Sequence, residues 1–139
     1  MSEPARTDLP ASNVRRSLPK EVPSPIAGRI AVVGVCAAGK SVLVRRLCAL
    51  GYDAHHVGQE HSHVPDMWQR LTRPEVLVYL DASLAQVRRR RDPTFPETLY
   101  NEQCCRLAHA RQHSQVYVHT DELTEEQVCA YVVEALKSF

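Results

Sequence analysis

No apolar run in the sequence approaches the roughly 20 consecutive residues needed to cross a bilayer. No apolar stretch of leader type follows the N-terminus, so neither a membrane partner nor a secretory route is expected. There is also no C-x-x-C pair. The five cysteines (Cys36, Cys48, Cys104, Cys105 and Cys129) form no even framework, which points to reduced thiols in a cytoplasmic protein. Charge of one sign is missing too: 17 basic residues face 16 acidic ones, for a net charge of +1. Arg6, Arg15, Arg16 and Lys20 against Glu3, Asp8 and Glu21 account for that excess, and the remainder balances. That excludes the basic footprint of a nucleic-acid binder.

The 139 residues suffice for one domain, and 44% hydrophobic residues suffice for a core. Residues 1–25 hold five of the nine prolines and no periodic apolar pattern. Such a segment cannot bury enough surface to offset its ordering entropy, so a disordered Pro-rich tail is expected there and a domain over 26–139.

The remaining chain is organised around Ile30 to Gly51. Inside it, Gly34-Val35-Cys36-Ala37-Ala38-Gly39-Lys40-Ser41 matches G-x-x-x-x-G-K-[ST], the P-loop or Walker A pattern. Four fixed positions match by chance roughly once in a couple of hundred chains of this length. The setting makes the match more specific, because an apolar strand leads in and a helix-period pattern leaves from Lys40. Gly34 and Gly39 allow tight turning and close approach to a polyphosphate. Backbone N–H groups from Gly34 through Val42, with the helix N-terminus, then face the phosphates. Lys40 is placed to reach the β- and γ-phosphates and Ser41 to ligate Mg²⁺. A nucleoside triphosphate, ATP with Mg²⁺, is the expected ligand.

Strand and helix signals alternate from there on. The helix after Lys40 should bury Leu43, Leu47 and Leu50, with Val44 and Cys48 beside them, and stop at Gly51. A weaker strand is expected within Tyr52 to Gly58, then a short helix or turn with Met67, Trp68 and Leu71 on one face. Val76 to Leu80 reads as a strand ending at Asp81. Ser83-Leu-Ala-Gln86 fits a capping box opening a helix through Arg91. A long helix is expected from about Glu97 to His113, then a strand over Val116 to His119. Thr124-Glu-Glu-Gln127 is a second capping box, with a terminal helix burying Val128, Tyr131, Val132, Ala135 and Leu136. The alternation predicts an α/β fold in three layers, α/β/α, with about four parallel strands and a site at their carboxyl ends.

Three stretches together resemble P-loop kinases of the nucleoside and nucleotide kinase type. These are the phosphate loop, the segment VLVYLDASLAQVRRRR (Val76 to Arg91), and His119 to Val128, which is similar to the family's closing strand, base-side loop and C-terminal helix. The resemblance implies a P-loop kinase-like topology and transfer of the γ-phosphoryl group to a small hydroxyl or phosphate acceptor. It implies Arg90 as the lid arginine, with Arg88 and Arg91 as alternates; a solvated helix face is the plainer reading of that run. It also implies Glu60 as a base or metal contact, where a structural role is equally open, and a commonly structural role for Asp81. The sequence departs from the family in carrying only Gly51 to Glu75 where an acceptor-binding insertion usually lies, and in lacking D-R and D-G-F-P motifs. A nucleotide-binding regulatory or assembly module with little or no hydrolysis is therefore the alternative. Neither N-K-x-D nor D-x-x-G is present, which argues against a GTPase.

Two histidine pairs have metal-compatible spacing, His61-x-His63 beside Glu60 and His109-x-x-x-His113, but neither brings a full ligand set in sequence. His61 is alternatively a substrate contact, and the second pair reads as helix surface. Trp68 and Met67 could line an acceptor pocket or cover a sheet edge, and Cys104-Cys105 reads as core packing. Cys36 is the one thiol whose oxidation would directly block the nucleotide site.

Overall fold

A computed structural model of the protein describes residues 22–139. The expected tail lies outside the described residues except for Val22 to Pro25. There the body begins slightly before residue 26, because Ser24 O accepts a bond from Arg73 Nε at 2.9 Å.

The chain runs β1 (Arg29–Gly34), α1 (Lys40–Ala49), β2 (Asp53–His56), a 3-10 turn (Gln59–His61), α2 (Met67–Thr72), β3 (Val76–Asp81), α3 (Leu84–Arg90), α4 (Glu97–Arg106), α5 (Ala108–His113), β4 (Val116–His119) and α6 (Glu125–Leu136). The four strands form one all-parallel sheet in the order β2-β1-β3-β4. β1 and β3 are central and continuously apolar, and Ile30 to Val33 and Leu77 to Leu80 are all buried. A parallel strand with helices on both faces needs that composition.

The chain first steps from β1 outward to β2, then returns past β1 to β3 and β4. Right-handed crossovers then place α1 on one face and α2 to α5 on the other. Contacts agree: α1 packs on β1, β2 and α6, whereas α5 packs on β3. On the α5 side the rings of Tyr79 and Tyr117 stack at 5.8 Å beneath the Arg111 guanidinium. The change of direction makes the carboxyl ends of β1 and β3 a topological switch point, where open α/β sheets bind ligands. The G-x-x-x-x-G-K-S loop leaves β1 at that place.

Several expected burials differ. Leu50 is 62% exposed because α1 ends at Ala49, leaving it past the periodic stripe; Cys48 is exposed as well. α6 buries Val128, Cys129, Val132 and Leu136. At 100° per residue that stripe is centred between Val128 and Cys129, so Tyr131 falls beyond its edge and is 54% exposed. The short α2 turns Trp68 and Thr72 inward and leaves Leu71 outside. The expected helix from Glu97 to His113 is two helices. Leu107 closes α4 through bonds to Gln103 O and Cys104 O, and its fully buried side chain anchors the break. Of the cysteine pair, Cys104 is half-buried and its thiol is pushed up by burial, while Cys105 is exposed.

Trp68 is 4% exposed and donates from Nε1 to His109 Nδ1 at 3.1 Å, so the tryptophan is core. His109 and His113 stack at 4.1 Å, and His109 is half-buried rather than on the surface. Burial first, then the charge of His113, hold His109 below its ordinary value against an opposing pull from Asp66. A base depressed in the fold takes up its proton more readily when unfolded. The stability it contributes is full above histidine's ordinary pKa of about 6.5 and is lost as pH falls. The thermal midpoint is therefore expected to drop as pH falls below about 7, and His109→Gln should flatten that slope. An equally steep profile in the variant would remove His109 as the cause.

Candidate functional site

The loop between β1 and α1 is built by its glycines and by a close approach to β3. A Cβ on Gly34 would lie 2.3 Å from Leu80 O, so no other residue fits there. Gly39 sits at φ 98°, ψ 22°, a left-handed conformation that turns the chain into α1. Ala37 also has positive φ, at 63°. Cys36 N donates to Gln103 Oε1 at 3.0 Å and Gln103 Nε2 donates to Cys36 Sγ at 3.0 Å, so α4 clamps the loop from below. Among the described residues, the N–H groups of Ala37, Gly39, Lys40, Ser41 and Val42 have no protein partner. The last four are the orphan donors expected at a helix start, beside the positive end of its dipole.

Lys40 folds back over the loop. Its Nζ donates to Gly34 O at 2.8 Å and Val35 O at 3.1 Å, and pairs with Glu60 Oε2 at 2.9 Å. Both partners of that ion pair are nearly buried, with side chains 10% and 5% exposed. Glu60 arrives on the 3-10 turn after β2, which is firmly tied. Buried Gln59 donates to Val64 O and Arg106 O and accepts from Trp68 N, and Arg106 Nη1 donates to Glu60 O at 3.2 Å. Glu60 Oε1 is buried without a hydrogen-bond partner. His61 Nε2 lies 3.6 Å from Glu60 Oε2, and the imidazole is 64% exposed.

Two cavities flank the loop. The first, about 290 Å³, opens between Gly39, Val42 and Leu43 on one side and Leu123, Thr124 and Val128 on the other, with Gln86 and Arg90 at its end. The Thr124 capping box, with both reciprocal bonds made, fixes that wall. Ser83 forms only half of its expected box: its hydroxyl accepts from Gln86 N, but its own N–H donates to Asp121 Oδ1 at 2.9 Å. Burial acts to raise the Asp121 carboxyl, yet bonds from Ser83 outweigh it and hold it below the ordinary range. α3 is thereby tied to the β4–α6 loop. The second cavity, about 420 Å³, lies on the β2 side and is lined by Lys40, Ser41, Glu60, His61, Cys36 and Arg91 among others.

The arginine run divides by position. Arg90 donates to Ala37 O at 2.9 Å and to Thr120 O at 3.0 Å, which ties the β1–α1 loop to the β4–α6 loop. Arg88 donates to Phe95 O, away from the loop, and Arg91 faces the second cavity. Asp81 is taken up by the Tyr117 hydroxyl and by Arg111 at 3.7 Å. The structure thus brings Lys40, Ser41, Glu60 and Arg90 to the Gly34–Val42 loop. His63 and the His109–His113 pair do not join them. Gln103 is the support missing from the sequence reading. Its signal was a polar residue in helical register with Tyr100 and Leu107 on a face that should be apolar.

No known protein family and no curated protein matches the chain. No helix among the described residues is long and apolar enough to cross a membrane.

Proposed function

We propose that the chain is a P-loop protein of the small nucleoside or nucleotide kinase type. It binds ATP or a related nucleoside triphosphate with Mg²⁺ along Gly34–Val42 and transfers the γ-phosphoryl group to a small hydroxyl or phosphate acceptor. The observation that carries this reading is the convergence of Lys40 Nζ, the unpartnered amides of Gly39 to Val42 and the Ser41 hydroxyl between two cavities. The residues suit the ligand. The space beyond a Cβ on Gly39 is clear of protein atoms for 4 Å, and the donors around it are amides and a lysine. The first cavity has a size and an apolar floor that suit a base.

Ser41, exposed at the first turn of α1, is the side chain that would hold Mg²⁺; the ion supplies charge neutralisation on the phosphate oxygens. Lys40 would exchange its carbonyl partners for phosphate oxygens. Arg91, which lines the second cavity, would face the transferring group, and Arg90 would position the loop. Glu60 would accept the acceptor hydroxyl's proton as the acceptor oxygen bonds to the γ-phosphorus and the bridging bond to the β-phosphate breaks. Calorimetric titration of ATP, GTP and ADP with Mg²⁺ tests the first half, and an acceptor panel tests the second. No heat with any nucleotide would overturn the whole reading.

A nucleotide-binding regulatory module without transfer is the second reading. Only the 3-10 turn and the six-residue α2 lie between β2 and β3, which leaves little to enclose an acceptor. Tight nucleotide binding with no product from any acceptor would favour it.

A further inference from the structure

Cys36, Glu60 and His61 come from two separate segments, yet their ligating atoms lie within 4.8 Å of one another. We propose that they form a binding site for a single borderline-soft divalent cation of the Zn²⁺ class, distinct from the Mg²⁺ position at Ser41. A thiolate, a carboxylate and an imidazole make a three-ligand set that leaves one position of a tetrahedron for water. The thiolate and imidazole select against Mg²⁺ and Ca²⁺, which prefer all-oxygen shells.

The carboxylate supplies an independent observation. Glu60 is 4% exposed, one oxygen is engaged by Lys40, and the other is buried with no partner. A buried unpartnered carboxylate oxygen is costly, and a bound cation removes that cost. Lys40 keeps its two carbonyl partners beside the ion, and the Cys36 thiolate adds compensating negative charge. Binding releases the Cys36 thiol proton to solvent, so the balance is one metal ion in and one proton out.

The supports around these ligands have the form that metal sites use. Gln103 Nε2 donates to Cys36 Sγ, which orients the sulfur. One turn further along α4, Arg106 holds the backbone of Glu60. A single helix thus fixes both halves of the site. The second cavity is lined by all three ligands, and exposed His61 stands at its mouth, which gives an ion its entry path. A bound ion would cross-link the phosphate loop to the 3-10 turn. The site rests on this geometry alone, independent of the nucleotide reading.

The test is a titration of the reduced full chain with CoCl₂ in the absence of nucleotide, followed by displacement with ZnCl₂. The expected result is a thiolate-to-cobalt charge-transfer band that saturates at one ion per chain and is removed by Zn²⁺. Cys36→Ser should abolish the band, while Cys48→Ser/Cys105→Ser, which removes the exposed thiols, should leave it intact. His61→Ala touches a largely exposed side chain, so the fold is kept, and it should weaken Zn²⁺ binding by roughly tenfold or more. No band, a band that survives Cys36→Ser, one lost with Cys48 and Cys105, or unchanged affinity in His61→Ala would overturn the site. Because no nucleotide is present, a failure here is separate from a failure of nucleotide binding.

Discussion

Lys40→Ala is expected to lose nucleotide binding and, at the same time, to lower the stability of the fold. The first effect follows from the position of the Nζ over the loop, where it is the one lysine at the proposed phosphate site among the described residues. Removing a single preorganised charge from such a site costs roughly 100- to 1,000-fold in turnover. The second effect follows from Glu60. Its carboxylate is nearly buried and loses its 2.9 Å partner, leaving only His61 at 3.6 Å within ion-pair distance among the described residues. Breaking a buried pair by removing one partner costs about 3–5 kcal/mol, because an uncompensated charge remains. For a domain of this size that is a fall of about 10 °C or more in the thermal midpoint. The ion pair with Glu60 therefore predicts that loss of Lys40 affects the fold as well as binding.

The two effects separate in a double variant. Lys40→Ala/Glu60→Gln removes both charges, so most of the lost stability should return, while nucleotide affinity stays lost. Calorimetry for binding and a melting curve for stability read the two quantities independently, at a temperature where the single variant is folded. Retained nucleotide affinity in Lys40→Ala would sink the site. Affinity that returns with stability in the double variant would make Lys40 a structural residue only.

What the sequence disclosed and what it withheld divide along contact range. β1, the start of α1 after the Gly34–Gly39 loop, β3 and the Thr124 cap are local patterns, a run of apolar residues or a short spacing, and each forms where the pattern lies. The parallel sheet follows from their alternation, and the switch point follows from the strand order. Contacts across the chain carry no such periodic mark. Gln103 meets Cys36 across 67 positions and Arg106 meets Glu60 across 46, so neither support could be read from spacing. Cys36 joins Glu60 and His61 for the same reason, whereas His63, which the His61-x-His63 spacing suggested as a partner, stays outside that cluster. The break at Leu107 has no proline or glycine to announce it. It is set by the burial of Leu107 and Ala110 against the sheet, a tertiary demand that overrides helix continuity. Tyr131, Leu50 and Leu71 show the opposite error, in which an apolar residue near a stripe was assigned to it although the stripe was narrower.

The two glycines of the loop should respond in opposite ways, which gives a second large effect. Gly34→Ala places a methyl 2.3 Å from a carbonyl oxygen of β3, at the carboxyl end of the most buried pair of strands. Backbone atoms on a central strand cannot rotate aside, so β1 and β3 must separate locally. Overpacking of this kind costs about 3 kcal/mol or more, and the ladder bonds from Val33 and Gly34 are at risk with it. The expected result is a thermal midpoint lowered by about 10 °C or more, or loss of the folded chain. Gly39→Ala meets no protein atom within 4 Å. Its cost in stability is only the strain of a left-handed alanine, about 1–2 kcal/mol. Its methyl group, however, stands where the two cavities meet, over the amides that are without partners. That variant should melt close to the wild type yet bind nucleotide poorly, with the reverse order of effects for Gly34→Ala at temperatures where it is folded. If Gly39→Ala binds nucleotide as the wild type does, the phosphates do not lie along this loop. If Gly34→Ala melts as the wild type does, the close approach of Gly34 to Leu80 does not set the loop's position.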